Sequence, residues 1–346
     1  MSAVIPFAHE DCLRVPRAGG KGASLARMAS LGLPVPPGFV VPAEALAAAL
    51  PDGGADLRAL VTSGEPAAVA ERAHALVAAI EIPGELCDAI AAAYAGLGEG
   101  DVPVAVRSSA CAEDSETASF AGQQETYLHV RGADQVLERV RDCWASFFTE
   151  RAIFYRSRKG SLDDLGMAVV VQRMVEADVA GVLFTCDPVR KRRDRMVVEA
   201  VLGLGEAVVS GQVTPDHYVL KRDGQVKKAQ VFVQPYAIVA VPEGGTQERE
   251  LSPEEGGAQK VADEHLVALA RIGDDLEQRM GCPQDIEWAV SRTGAAGENV
   301  FLLQSRPETV WAEKEKEAAR VAAPAARPFD HVFNLLGGKR PETSGS

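Results

Sequence analysis

The chain has 346 residues, 47% of them hydrophobic and 25% charged, with a formal net charge of -13. That length holds about two units at roughly 100–200 residues per domain. The acidic balance argues against nucleic acid or an anionic membrane as the main partner, so a phosphate site must be a local basic cluster inside an acidic protein.

In chain order, Gly19-Gly20-Lys21-Gly22 reads as a turn ahead of a helix that carries Leu25, Met28 and Leu31 on one face. The proline corner at Pro34 to Gly38 leads into a strand at Phe39-Val40-Val41. From Ala43 to Gly96 the sequence is Ala-rich and helical, broken at Pro51-Asp52-Gly53-Gly54 and at Pro83-Gly84. Val102 to Val106 is a short buried strand ending at Arg107-Ser108-Ser109, where a loop of small and acidic residues, 108–122, begins. An amphipathic helix follows, with Leu137, Val140, Trp144, Phe147 and Phe154 as its core stripe. Strands are expected at Met167 to Val175 and Ala180 to Thr185, joined through Glu176 and Asp178.

The basic run Arg190 to Arg193 reads as a solvated loop before a strand at Met196 to Val201. The glycine-rich segment Gly203-Leu204-Gly205-Glu206 comes next, then strand-like stretches at Tyr218 to Leu220 and Ala229 to Val233. A polar linker is expected near 243–253, and one helix from Pro253 to Met280. Beyond Trp311 the chain turns charged, then Ala/Pro-rich and Gly/Ser-ended, in the manner of a linker or tail.

Gln284 to Val290 and Val300 to Pro307 both largely alternate apolar and polar residues, the mark of two hairpin strands. Their shared polar face carries Asp285, Glu287, Gln304 and Arg306. Hard oxygen donors beside a guanidinium suit a magnesium-bound polyphosphate, and a merely solvated hairpin face would look the same. Gly19 to Gly22 lacks the spacing of a P-loop, yet its glycines would let Lys21 approach a phosphate. Arg107 is either a phosphate clamp or the partner of Glu113 or Asp114. Gln172, close to its strand end, would bond a purine edge or stand solvated. Glu199 would accept from a ribose or adenine.

The six cysteines (Cys12, Cys87, Cys111, Cys143, Cys186, Cys282) contain no CxxC pair, which points to buried thiols in a reducing compartment. No apolar run reaches the ~18 residues of a membrane span, and the start has no signal-peptide pattern. The expectation is a soluble cytoplasmic protein with no nucleic-acid or membrane partner.

Several segments occur together in order: Gly19-Gly-Lys-Gly-Ala-Ser-Leu, then Val106-Arg-Ser-Ser-Ala with Glu113-Asp114 and Ser119-Phe-Ala-Gly. They continue with Gly203-Leu-Gly-Glu, Val209-Ser-Gly and Thr214-Pro-Asp, and end with Asp285-Ile-Glu and Leu303-Gln-Ser-Arg-Pro-Glu. The set resembles the N-terminal ATP-binding domain of the phosphoenolpyruvate synthase, pyruvate phosphate dikinase and rifampin phosphotransferase family, over about residues 8–312. The resemblance implies an α+β, ATP-grasp fold whose two subdomains close on Mg-ATP. It implies a domain over 1–312, with 313–346 as a charged helix and tail.

Carried over by motif, Lys21 and Arg107 would hold the phosphates, with Gly122 and Thr126 on a covering loop. Gln172 and Glu199 would lie near adenine and ribose. Glu287 and Gln304 would ligate magnesium with Asp285 in support, and Arg306 would stabilise charge on the transferred group. Lys21, Arg107 and Arg306 are thus the implied catalytic residues. Full-length relatives pass the phosphoryl group to a histidine on a swivelling domain and then to an acceptor. The six histidines here (His9, His74, His129, His217, His265, His331) have no such setting and read as surface or packing residues.

The resemblance therefore implies an ATP-dependent phosphotransferase component that leaves AMP. Its partners would be a second polypeptide bearing the carrier histidine and acceptor site, and a small-molecule acceptor. A self-contained kinase or ligase acting directly on a small acceptor is the alternative. A nucleotide-sensing module, or a piece of a longer enzyme, remains open as well.

Overall fold

Phe39-Val40-Val41 and Ala168 to Val171 have no polar face, so a stable fold must cover them on both sides. A computed structural model shows how, describing residues 3–50, 52–61, 65–111, 125–150, 153, 166–190, 192–295 and 297–308. Five antiparallel strands form the first sheet, in the order β1-β2-β5-β3-β4. They are β1 (Ile5–Pro6), β2 (Gly38–Val41), β3 (Val104–Ala110), β4 (Thr126–Val130) and β5 (Met167–Arg173).

Helix α1 (Val15–Ser30) lies on one face, where Leu25 and Met28 join Val40, Ala168 and Val170 in an apolar cluster. The other face is covered by α2 (Glu44–Ala49), α3 (Ala55–Val61), α4 (Pro66–Ala78), α5 (Gly84–Ala95) and α6 (Ala133–Ser146). There Phe39, Val41, Val169 and Val171 pack with Leu46, Ile90 and Trp144. Alternate residues of one strand thus feed two cores, as the two-residue period of a strand requires.

The second sheet has six antiparallel strands in the order β13-β12-β6-β7-β8-β9. Its strands are β6 (Ala177–Phe184), β7 (Arg195–Leu202), β8 (Asp216–Lys221), β9 (Val226–Gln230), β12 (Gln284–Ser291) and β13 (Val300–Pro307). One face carries Leu183, Val198, Tyr218, Ile286 and Trp288 into a core shared with Leu266, Leu269 and Leu276 of α9 (Asp263–Met280). Those helical residues recur at steps that keep them on one stripe of a helix. A Cβ on Gly273 would come to 2.8 Å from Leu183, so the bare glycine lets α9 lie close to the sheet.

A smaller hairpin, β10 (Tyr236–Ala240) and β11 (Thr246–Glu250), stands apart as a two-stranded sheet between α7 (Glu206–Val209) and α8 (Pro253–Gly257) in the chain. Leu204 N–H donates to the Ile238 carbonyl on one side, and Gly245 N–H to the His129 carbonyl of β4 on the other. The hairpin therefore touches both larger sheets.

Several expectations need correction. The glycines at 19–22 are not a turn before the helix but a kink inside α1, at Gly19, whose φ is +67°. A Cβ there would collide with the Ser109 carbonyl, so the kink seats α1 directly on β3. Arg107-Ser108-Ser109 does not end its strand; β3 runs on to Ala110 because β5 continues to pair with it. The polar linker near 243–253 contains β11, whose residues pair with β10 despite their polarity. The single helix from Pro253 to Met280 is two, α8 and α9, and α8 starts at a reciprocal Ser252–Glu255 capping box. The expected strand at 229–233 is β9, which ends at Gln230.

None of the six cysteines is in a disulfide. Burial pushes the Cys12 thiol up to about 12, which makes it a packing group rather than a nucleophile. Among the described residues no helix is long and apolar enough to cross a membrane. Phe154, Gly122, Glu113 and Asp114, and the stretch 313–346, lie outside the described residues.

Candidate functional site

Residues directly opposite one another on paired strands point to the same side of a sheet. In the six-stranded sheet one such row runs Gln304, Glu287, Val182, Glu199, His217 across β13, β12, β6, β7 and β8. The neighbouring row runs Arg306, Asp285, Phe184, Val197. Both rows lie on the side away from α9, because the residues between them (Ile286, Leu183, Val198) face the core. Glu287, Gln304, Val182, Glu199 and His217 all remain partly accessible. The hairpin face expected from alternation is therefore one edge of a longer polar stripe.

The first sheet contributes from the side. Arg107 of β3 is 9% exposed, donates from Nη1 to the Leu303 carbonyl at 3.2 Å, and holds Nη2 3.7 Å from Glu287 Oε2. Its Nε is buried without a hydrogen-bond partner among the described residues, a state that costs about 1–3 kcal/mol for a buried polar group. Lys21 of α1 reaches the same place, its Nζ donating to the Ser108 carbonyl at 2.9 Å. Ser24 Oγ donates to the Ser305 carbonyl at 2.6 Å, pinning α1 to β13. Two elements distant in sequence, α1 and β3, thus meet the β12–β13 hairpin that carries Glu287 and Gln304.

Arg306 Nε donates to Asp285 Oδ2 at 2.8 Å. Burial pushes the Asp285 carboxyl above its ordinary range, and Glu287 and Glu308 add to that, while the Arg306 guanidinium pulls the other way. A second cation arriving here would relieve the same strain. The donor set matches a hard ion: a carboxylate and an amide oxygen directly opposite, with a second carboxylate two residues away. Among the described residues no group of three His, Cys, Asp or Glu side chains encloses a metal. Magnesium does not require such a cage, since it commonly takes one or two carboxylates and completes its shell with water and phosphate oxygens. The residues fit Mg²⁺ held jointly with a polyphosphate.

The remaining expected site residues divide. Thr126 stands opposite Arg107, but as the first residue of β4 rather than on a loop. Glu199 sits in the interior of β7, not near its end, and its Oε1 is 3.6 Å from His217 Nδ1. Gln172 is not a solvated edge residue: it is 2% exposed in the central strand of the first sheet, its Nε2 pointing to the Pro36 carbonyl at 3.5 Å. His217, read from sequence as a surface or packing residue, lies in the polar stripe. Its one sequence signal was its place in a strand as the polar neighbour of buried Tyr218.

Residues 15–326 match the pyruvate phosphate dikinase AMP/ATP-binding domain. The phosphoenolpyruvate synthase of Pyrococcus furiosus is 37% identical over 93% of this chain and 45% of its own length. A probable phosphoenolpyruvate synthase of Methanothermobacter thermautotrophicus is 41% identical over 87% of the chain and 45% of its own. The rifampicin phosphotransferase of Bacillus cereus is 36% identical over 89% of the chain and 36% of its own length. The chain therefore spans less than half the length of these relatives. The α+β architecture of two large sheets, with Arg107 of one facing Glu287 of the other, agrees with an ATP-grasp fold. On this match, the chain belongs to the family of pyruvate phosphate dikinase AMP/ATP-binding domains.

Proposed function

We propose that this chain binds Mg-ATP over the open face of its six-stranded sheet and acts as the activating component of an ATP-dependent phosphotransferase. In this reading residues 1–312 are the nucleotide-binding domain, its two subdomains closing on the ligand, and 313–346 are a linker or tail. Lys21 and Arg107 neutralise the phosphates, while Gly122 and Thr126 cover them. Glu287 and Gln304 hold Mg²⁺ with Asp285 in support, and Arg306 meets the charge that develops on the transferred group. Gln172 and Glu199 serve the base and sugar. Bound Mg²⁺ would supply charge neutralisation on the phosphate oxygens, which with positioning is most of what phosphoryl transfer needs.

The observation that carries the reading is the meeting of Arg107 with Glu287 at 3.7 Å, beside Lys21 and opposite Gln304. The phosphoryl or pyrophosphoryl group then passes to a carrier histidine on a separate chain and AMP is left. From there it reaches a small-molecule acceptor, in the cytoplasm. The relatives' greater length leaves room for a carrier domain outside the matched region.

The test is incubation with Mg-ATP labelled at the β or the γ position, with and without cell extract. AMP formation that depends on the extract and labels a second polypeptide supports the reading. ADP formation without labelled protein favours direct transfer to a small acceptor instead. Lys21→Ala, Arg107→Ala and Glu287→Ala should each abolish ATP consumption with the fold intact, and full activity in all three would sink the site assignment.

A further inference from the structure

The Glu199–His217 pair lies across the stripe from the Arg107–Glu287 and Arg306–Asp285 pairs of the phosphate end. It lies in the same register row as Glu287, two strands and three strands away across the sheet. At about 4.8 Å per strand, Glu199 is roughly 10 Å from Glu287, comparable to the span from the terminal phosphate to the ribose of a nucleoside triphosphate. The strand between them presents Val182, an apolar side chain that remains partly accessible. At that distance the chemistry offered is a carboxylate, which only accepts hydrogen bonds, and ribose hydroxyls are donors.

A carboxylate on a flexible stem is a poor reader of one hydroxyl unless something fixes it. His217 is the group within reach, its Nδ1 3.6 Å from Glu199 Oε1, and both side chains are about a third or less exposed. Asp216 and Tyr218, on either side of His217, are fully buried and locked to each other by a 2.8 Å hydrogen bond. Asp216 also accepts from the Phe232 and Lys260 backbone N–H groups. The backbone that carries His217 is therefore rigid, and the ring has a fixed origin from which to hold Glu199.

We propose that His217 is a positioning residue for sugar specificity: it orients the Glu199 carboxylate toward the ribose hydroxyls and so makes the site select ribonucleotides over 2′-deoxyribonucleotides. This rests on the reading of the stripe as a nucleotide site. A polar site built to bond a hydroxyl rejects an analogue that lacks it, because its own group is left unpaired once water is excluded.

The experiment is equilibrium binding of Mg-ATP and Mg-2′-deoxy-ATP to the whole chain, for the unaltered protein and for His217→Ala, His217→Gln and Glu199→Gln. The unaltered protein should prefer ATP by about tenfold or more, the value of one charge-assisted hydrogen bond. His217→Ala should bring the ratio to within about threefold, and His217→Gln, which retains an N–H donor, should restore most of it. Adding His217→Ala to Glu199→Gln should change the ratio no further, since the two act as a unit. An unchanged ratio in His217→Ala, or no preference in the unaltered protein, overturns the inference and leaves the nucleotide reading standing. Failure of the unaltered protein to bind either nucleotide overturns both.

Discussion

Two antiparallel hairpins, β10–β11 and β12–β13, both carry charge, and of the two only the second has the geometry of a site. In β10–β11 the polar residues Gln247 to Glu250 are all exposed, and the Arg249–Glu255 contact is 3.4 Å between side chains 48% and 51% accessible. Such a pair is worth about 0–1 kcal/mol and constrains little. In β12–β13 the Asp285 side chain is 13% accessible, and Glu287 is flanked by a nearly buried arginine from another sheet. There the solvent no longer screens the charges fully, so each counter-ion matters. Charge on a strand is common; charge that the fold has partly removed from water, beside ligands it can share, is what marks a site.

The strongest test of that contrast is Glu287→Gln. It should cut ATP consumption by about 100-fold, the order seen when one preorganised electrostatic contact is removed. Thermal melting should show the fold intact, and a loss below about threefold would erase the distinction between the hairpins. Arg306→Ala should follow, lowering turnover about tenfold or more with little change in nucleotide affinity, because its partner charge develops only during transfer. Loss of affinity with turnover preserved would place Arg306 among the ground-state contacts instead.

The next test concerns the join between β4 and the smaller hairpin. His129 of β4 is buried and adopts φ +58°, the one positive φ among described non-glycine residues. Burial holds its imidazole below the usual range, Arg131 acts the same way, and Glu176 and a bond with the Val241 backbone oppose them. A depressed histidine favours the neutral form in the fold, so the unfolded chain binds more protons and stability rises with pH. The contribution is complete above the ordinary value of about 6.5 and fades as pH falls through the lowered one. His129→Asn tolerates the left-handed backbone, and between pH 7 and 5 its melting temperature should fall about 2 °C less than that of the unaltered chain. Parallel pH profiles would remove His129 from the acid response. Smallest of all, Glu248→Gln should alter stability by no more than about 0.5 kcal/mol and leave ATP consumption unchanged. An activity loss there would make β10–β11 part of the site after all.

Local pattern carried much of this molecule. Alternation at Asp285 to Glu287 and Gln304 to Arg306 put these four polar residues on one hairpin face, since a period of two assigns faces without reference to the rest of the chain. The apolar runs at 39–41 and 168–171 likewise mark strands buried on both sides. β11 gives no hydrophobic signature, because Thr246 to Glu250 is all polar and a two-stranded sheet has little core to fill. The division of 253–280 into α8 and α9 is hard to see in the sequence, because helix-compatible residues continue close to the gap and caps and breaks decide the ends.

What alternation could not supply was the partner strand. Arg107 meets Glu287 from a distant part of the chain, and Glu199 joins His217 and Glu287 in one row only because β6, β7, β8 and β12 settle side by side in a particular register. That register is chosen by the packing of Leu183, Val198, Tyr218 and Trp288 beneath α9, on the face opposite the polar stripe. Sequence by itself determined which residues share a strand face; the buried core on the other side of the sheet decided which of those faces became neighbours.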